Sequence, residues 1–258
     1  MQKHIKRIKK PKCNSRKGQN GRLLVIAGGK KYHGSLWFAV ETASHFCDLV
    51  YVYSPFNKCV LESLKKKTPA FISISKKDYA KTIEEVDVFL VGPGIDLNII
   101  SKKLIKKLLE TKKKCVLDAG ALRLIKPEQL HKNCLITPHN NEFKNLFGCD
   151  ATKQNIKNMA KKYGCVILSK SQVDNIASST QKIEIKGGNE GLTKGGTGDV
   201  LAALCASFSC RNNLFDSAVS ASYLNKQAGE RLYKKFGPYY SVEQLINQII
   251  LTLRSIKK

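Results

Sequence analysis

The sequence predicts an α/β domain whose mainly parallel central sheet is covered by helices on both faces. Three observations point there. Short apolar runs alternate with amphipathic stretches over most of the 258 residues, the pattern of successive β-α-β units. The runs end in glycine, proline, aspartate or histidine, where open α/β sheets carry their ligands, beyond the carboxyl ends of the strands. No internal repeat, low-complexity tract or linker interrupts them, so one domain is expected. A composition of 42% hydrophobic and 25% charged residues is that of a globular chain and excludes wholesale disorder.

Residues 1–15 are Lys-rich and weakly periodic and read as a loose basic lead-in; residues 16–258 carry the domain. Leu23–Ala27 is a buried-strand run ended by Gly28-Gly29, and Gly34–Phe46 reads as the helix after it. Strands follow at Asp48–Tyr53, Phe71–Ile74 and Val86–Val91, the last stopping at Gly92-Pro93-Gly94. From Leu97 to Thr111, Ile100, Leu104, Ile105, Leu108 and Leu109 recur at helical spacing with lysines outward. Cys115–Leu117 and Leu135–Ile136 are short strands, each followed by polar residues and a helix. Cys165–Leu168, Val173–Ala177 and Ile183–Ile185 crowd together as a meander. Helices close the chain at Thr197–Phe208, Leu214–Lys234 and Val242–Leu253, the last opened by Ser241 and Gln244 at capping-box spacing.

Lys+Arg 45 against Asp+Glu 20 gives a net charge of +25. Such a field attracts polyanions and anionic metabolites without specifying a fold. The lysines are scattered, on the polar faces of expected helices, and are not concentrated with exposed aromatics as in a nucleic-acid site. No dedicated nucleic-acid site is expected. The nine cysteines show no C-x-x-C and no Cys/His cluster in sequence, which predicts free thiols in a reducing cytoplasm and no zinc site. No apolar run approaches the ~18 residues of a membrane span, and no secretory signal is visible.

Chemistry concentrates at the strand ends. Gly195-Gly196-Thr197-Gly198-Asp199 stands immediately before an apolar helical run. Glycines allow close approach to an anion, and the helix aims N–H groups and its positive end at it. Asp199 there suits a base that takes the proton of a hydroxyl attacking a phosphoryl group. The competing reading is a glycine turn with a first-turn cap. Lys170, ending the Cys165–Leu168 run, could neutralise phosphate oxygens or be one more surface lysine. Thr137-Pro138-His139-x-x-Glu142 opens a helix. His139 could contact a substrate, and Glu142 suits either a Mg²⁺-bound water or the helix dipole. His33, His45 and His131 have no matching partners.

Six blocks in order resemble the NAD(P)H-hydrate dehydratases of the ribokinase-like superfamily. They are Lys17-Gly18-x-x-Gly21-Arg22 through Gly28-Gly29; Tyr32-x-Gly34; Val91-Gly92-Pro93-Gly94; Leu117-Asp118-Ala119-x-Ala121-Leu122; Ile136-Thr137-Pro138-His139-x-x-Glu142-Phe143; and Gly188-Asn189-x-Gly191 through Gly195-Gly196-Thr197-Gly198-Asp199-Val200-Leu201. The resemblance implies a single ribokinase-like three-layer α/β/α domain. It implies repair of (6S)-NADHX or NADPHX to NADH or NADPH: a nucleotide, ADP or ATP, phosphorylates the added hydroxyl, and phosphate is then eliminated.

By the same resemblance Asp199 is the base and touches the hydrate. Ser35, where alanine is usual, Gly94 and His139 fall on substrate positions. Lys170, Ser171, Gln172, Val173 and Asp174 fall on the nucleotide loop, and Gly195, Gly196, Thr197 and Gly198 on the anion hole. Glu142 falls where Mg²⁺ is organised through water. A homo-oligomer, tetrameric in the family, is implied. The chain is short for a fused hydrate-epimerase domain, so activity on the S epimer alone is expected. Departures from the family pattern are Gly120 for a second aspartate, Ser171 for a glycine, Asp174 for a threonine, Lys30 for a serine, and Lys194 before the double glycine. Two other functions compete: a ribokinase-like kinase of a vitamin or small alcohol, which would accumulate a phosphorylated product, and a non-catalytic basic protein that binds nucleic acid.

Overall fold

The computed structural model describes residues 5, 8–54 and 58–256. Nine strands form one sheet in the order β3-β2-β1-β4-β5-β6-β7-β8-β9. They are β1 (Arg22–Ile26), β2 (Leu49–Val52), β3 (Ile72–Ser73), β4 (Val88–Val91), β5 (Lys114–Leu117), β6 (Cys134–Ile136), β7 (Val166–Ser169), β8 (Asp174–Ala177) and β9 (Lys182–Ile185). All pairings from β3 across to β7 are parallel, and β7–β8–β9 is antiparallel. The mainly parallel sheet and its closing meander agree with the apolar pattern.

Neighbouring residues of one strand feed opposite layers, which is why the runs read as continuously apolar. Leu23 and Val25 join one core cluster, Leu24 and Ile26 the other. The first layer is closed by α1 (His33–Ser44), α2 (Lys58–Lys67), α8 (Thr197–Ser209), α9 (Leu214–Phe236) and α10 (Val242–Ile256). The second is closed by α3 (Tyr79–Glu85), α4 (Ile99–Glu110), α5 (Gly120–Leu124), α6 (Asn140–Phe147) and α7 (Lys153–Tyr163). In α8 nearly every side chain is buried: this helix runs under the sheet centre, and its first turn lies at the strand carboxyl ends.

Helix boundaries follow local chemistry. Asn98 caps α4, its Oδ1 accepting the Ser101 N–H at 2.9 Å, and Thr152 caps α7 through Asn155 N–H at 3.1 Å, each a cap of the kind that contributes about 1 kcal/mol. Gly148 and Gly164 end α6 and α7 in the left-handed conformation. The apolar periodicity does not single out α2, α3 or α7. Each is short and presents few apolar residues, such as Tyr79 and Ile83 of α3 against the second layer.

Two expectations change. The described part of the basic lead-in is anchored: Ile5 and Ile8 are buried, the Lys9 N–H donates to Asn212 Oδ1 and its carbonyl accepts from Arg211. Residues 1–4, 6 and 7 of that lead-in lie outside the described residues. Several lysines are also more than solvated charge. Lys113 Nζ donates to carbonyls of Ile83, Glu84 and Val86 at the end of α3. Lys114 Nζ does the same for Ser209 and Asn212 beyond α8, where a cation complements the negative helix end. Among the described residues, no helix is long and apolar enough to cross a membrane.

Candidate active site

The loops after β1, β4, β5, β6 and β7 converge above the first turn of α8. Gly28 N–H donates to Pro93 O at 2.8 Å, tying the β1 loop to Gly92-Pro93-Gly94. Gly92 has a positive φ of 122°, and a Cβ there would stand 1.9 Å from the Asp118 carbonyl, so only glycine fits. Asp118 therefore comes forward at the end of β5. The next residue, Ala119, holds φ 45° and ψ −113°, backbone strain of the kind that clusters at functional sites.

The Asp118 carboxylate is buried at 2% exposure. Its Oδ1 accepts from Thr137 Oγ1 at 2.7 Å and from Lys170 Nζ at 2.6 Å. Burial works against the Lys170 ammonium, but the carboxylates of Asp118, Glu142 and Asp199 outweigh it and hold its pKa above the usual lysine range. Lys170 is thus a fixed cation at the site centre and not a surface lysine. A Cβ on Gly198 would stand 3.6 Å from its Nζ, which brings this charge against the first turn of α8.

Asp199 sits in that turn. Burial, and then the charge of Asp118, push its carboxyl up to about 6, while a hydrogen bond from Ser35 and the Lys170 charge pull the other way. A base needs a pKa near the working pH, and this environment supplies it. Ser35 lies directly beside Gly94: a Cβ on Gly94 would come within 2.9 Å of Ser35 Oγ. Ser35, Gly94 and Asp199 are thereby one cluster. Around Asp199, Thr197 N–H closes on Lys194 O and Val200 N–H on Gly196 O. Between them Gly198 and Asp199 carry first-turn amides that an α-helix leaves without intrahelical partners. Gly196 holds φ 101°, and a Cβ there would strike the Phe38 ring at 2.5 Å, so its role is steric.

On the other side of Lys170 opens a cavity of about 730 Å³, lined among others by His139, Ser171, Gln172, Asn189, Gly198 and Asn225. Two buried polar atoms facing this region, Asn189 Nδ2 and Asn225 Oδ1, have no protein partner, as expected of groups that a polar ligand satisfies. Thr197 lines the cavity but its hydroxyl is committed to Leu192 O and Lys194 O. Gly195, Gly196 and Val173 do not line it. Val173 instead supplies its carbonyl to Ser171 Oγ at 2.5 Å, shaping the loop.

Asp174 turns inward. Its carboxylate accepts from Ser222 Oγ at 2.7 Å and from Ser171 N–H at 3.0 Å and pairs with Lys226 Nζ at 3.4 Å. Lys226 is only 5% exposed and also donates to the carbonyls of Ser171, Gln172 and Gly187 at 3.0–3.1 Å. One buried ammonium thus clamps both edges of the cavity. Sequence inspection missed it; the signal was a lysine four residues after Ser222, on the buried face of α9. It also left Asp118 without a role of its own.

His139 and Glu142 form a reciprocal capping box on α6. His139 Nδ1 accepts the amides of Asn141 and Glu142, and Glu142 Oε2 accepts the His139 N–H at 2.9 Å. Half-exposed, the imidazole still borders the cavity. Gly120 has no room for the family's aspartate: a Cβ there would meet Ile95 Cγ2 at 2.5 Å. Lys194 donates to Tyr240 O.

A sequence profile of the family described as NAD(P)H-hydrate dehydratase matches residues 23–251. The chain belongs to the NAD(P)H-hydrate dehydratase family. Among its relatives, an ADP-dependent (S)-NAD(P)H-hydrate dehydratase of Cenarchaeum symbiosum is 32% identical over 90% of this chain and 88% of its own. A bifunctional NAD(P)H-hydrate repair enzyme of Methanocaldococcus jannaschii is 34% identical over 95% of this chain and 50% of its own. The chain thus spans about half the length of the bifunctional relatives that it matches. An ADP/ATP-dependent NAD(P)H-hydrate dehydratase from Bacillus subtilis, co-crystallised with ATP and Mg²⁺, shares the ribokinase-like fold with TM-score 0.86 and 20% identity, over 99% of this chain and 97% of its own.

Proposed function

We propose that this protein restores NADH or NADPH from the (6S) hydrate at the expense of ADP. The observation that carries the proposal is the arrangement around Asp199, a carboxyl tuned to about 6 beside the anion-binding first turn of α8, in a chain of this family. The nucleotide occupies the cavity between Lys170 and Lys226, with Asn189 and Asn225 as hydrogen-bonding partners for its polar edges. The hydrate lies against Ser35, Gly94, His139 and Asp199.

Asp199 takes the proton of the added hydroxyl as that oxygen attacks the terminal phosphoryl group of ADP, whose bond to the bridging oxygen breaks and releases AMP. The Gly198 and Asp199 amides and the Lys170 ammonium stabilise the charge that develops on the phosphoryl oxygens. The phosphorylated oxygen then departs with its phosphate, expelled by the ring nitrogen lone pair, and the iminium so formed loses a proton from the adjacent ring carbon to give the dihydronicotinamide. Asp118 keeps Lys170 in place throughout. Glu142 would hold Mg²⁺ through water, its Oε2 taking the His139 amide and its Oε1, 3.5 Å from His139 Nε2, facing a water of the ion, since hydrated Mg²⁺ needs few protein carboxylates. The ion, when bound, neutralises phosphate charge. The preference for ADP follows the archaeal dehydratase relatives. Nine cysteines, all free, fit a reducing cytoplasm.

The test is a reduced-nicotinamide absorbance assay with hydrated NADH, Mg²⁺ and either ADP or ATP. Recovery of absorbance with ADP, and AMP as product, is expected. A stable phosphorylated hydrate without recovery would show a kinase instead. The pH profile offers a second check. The base must be ionised, so kcat/KM should fall as pH drops through about 6. Ser35→Ala removes a hydrogen bond that favours the carboxylate, so the acidic limb should move upward by roughly half a unit. A limb unmoved by Ser35→Ala belongs to the nucleotide, not to Asp199.

A further inference from the structure

At the amino ends of β5 and β6, on the opposite edge of the sheet from the glycine loops, Cys115 and Cys134 are direct register partners. Both face the second core layer, both are buried, and their Sγ atoms stand 3.5 Å apart. His131 lies in the turn that leads into β6. Cys134 N–H closes this turn on His131 O at 2.8 Å, and Asn133 Nδ2 clamps it to Lys112 O at 2.7 Å. The turn brings one imidazole nitrogen and the two sulfurs all within 4.8 Å of one another. His131 Nε2 is buried and has no hydrogen-bond partner. None of this is visible in the sequence, where Cys115 and Cys134 are far apart and His131 lacks a partner.

We propose that Cys115, His131 and Cys134 form a binding site for one thiophilic divalent cation of the Zn²⁺ class. Two thiolates and one imidazole are soft, nitrogen–sulfur donors that select Zn²⁺ over Mg²⁺ or Ca²⁺. Binding replaces two S–H protons by two sulfur–metal bonds and releases those protons, so the +2 ion and two thiolates leave the buried site neutral. That neutrality matters, because an uncompensated charge at this depth is costly. The fourth position falls to water.

The site holds together β5 and β6 without touching the catalytic end. Its test uses Co²⁺ as a spectroscopic probe on the reduced, chelator-treated full chain carrying Cys13→Ser and Cys59→Ser, which removes the two exposed thiols. One equivalent of Co²⁺ should produce thiolate charge-transfer and intense tetrahedral ligand-field bands, release two protons, and be displaced by Zn²⁺. Cys134→Ser and His131→Asn should each weaken binding by more than about 100-fold. The proton count on the unmutated ligand set stands even where Cys134→Ser misfolds. Absence of the bands overturns the site, as does a band that survives in folded Cys134→Ser protein. Formation of a Cys115–Cys134 disulfide under air, with no Co²⁺ bands in the reduced chain, overturns it in favour of a redox pair.

Discussion

Asp199→Asn should lower turnover by ~10²-fold or more while nucleotide affinity stays within a few-fold, because it removes the proton acceptor and nothing that touches the cavity. Asparagine keeps the shape of the first turn of α8 and its amides. A structural role would give a different signature. The Asp199 carboxyl is raised in the folded protein, so its ionisation costs stability as pH rises from the unfolded carboxyl range through about 6. The asparagine variant should therefore melt no lower than the parent at pH 8. Loss of activity together with a lower Tm would identify Asp199 as a structural cap, and near-normal turnover would remove it from the chemistry.

Lys226→Met carries the largest stability effect. The ammonium touches three carbonyls and a carboxylate while almost fully buried. Removing it leaves Asp174 charged and without its cation, a loss of about 3–5 kcal/mol for a buried pair and a fall in Tm on the order of 10 °C for a domain of this size. Nucleotide affinity should fall with it, since Ser171, Gln172 and Gly187 lose the tether that shapes the cavity. Calorimetric scans with and without ADP separate the two effects. In the double variant Lys226→Met/Asp174→Asn most of the lost Tm should return, because no buried charge then remains unpaired. A single variant as stable as the parent would show that the clamp contributes nothing.

Much of the architecture was legible in sequence because strands buried on both faces must be continuously apolar. Leu23–Ile26 and Val88–Val91 announce themselves in this way. The helices α2 and α3 did not, being short with few apolar positions. At the site, glycines gave the loop after β4 and the turn before α8 away, since Gly92 and Gly196 are demanded by backbone geometry. Lys226 and the Cys115–His131–Cys134 group were hidden for a shared reason. Their partners come from other strands or from a distant helix, and contacts of that separation leave no periodicity. The basic lead-in misled in the opposite direction: Ile5 and Ile8 are isolated apolar residues among lysines, yet both are buried.

The sheet order has a consequence for how such an enzyme changes over time. The strand order reverses between β1 and β4, and Ser35, in the first turn of α1, and Gly94, in the loop after β4, both lie beyond that junction. The cavity bordered by Lys226 is built instead from segments beyond β6 through β9 and from α9. In the proposed reaction, acceptor and donor are thus served by separate halves of the molecule that meet at Asp199, Lys170 and His139. One half can be remodelled for a new alcohol while the other keeps its phosphoryl donor unchanged, so the two specificities are free to diverge independently.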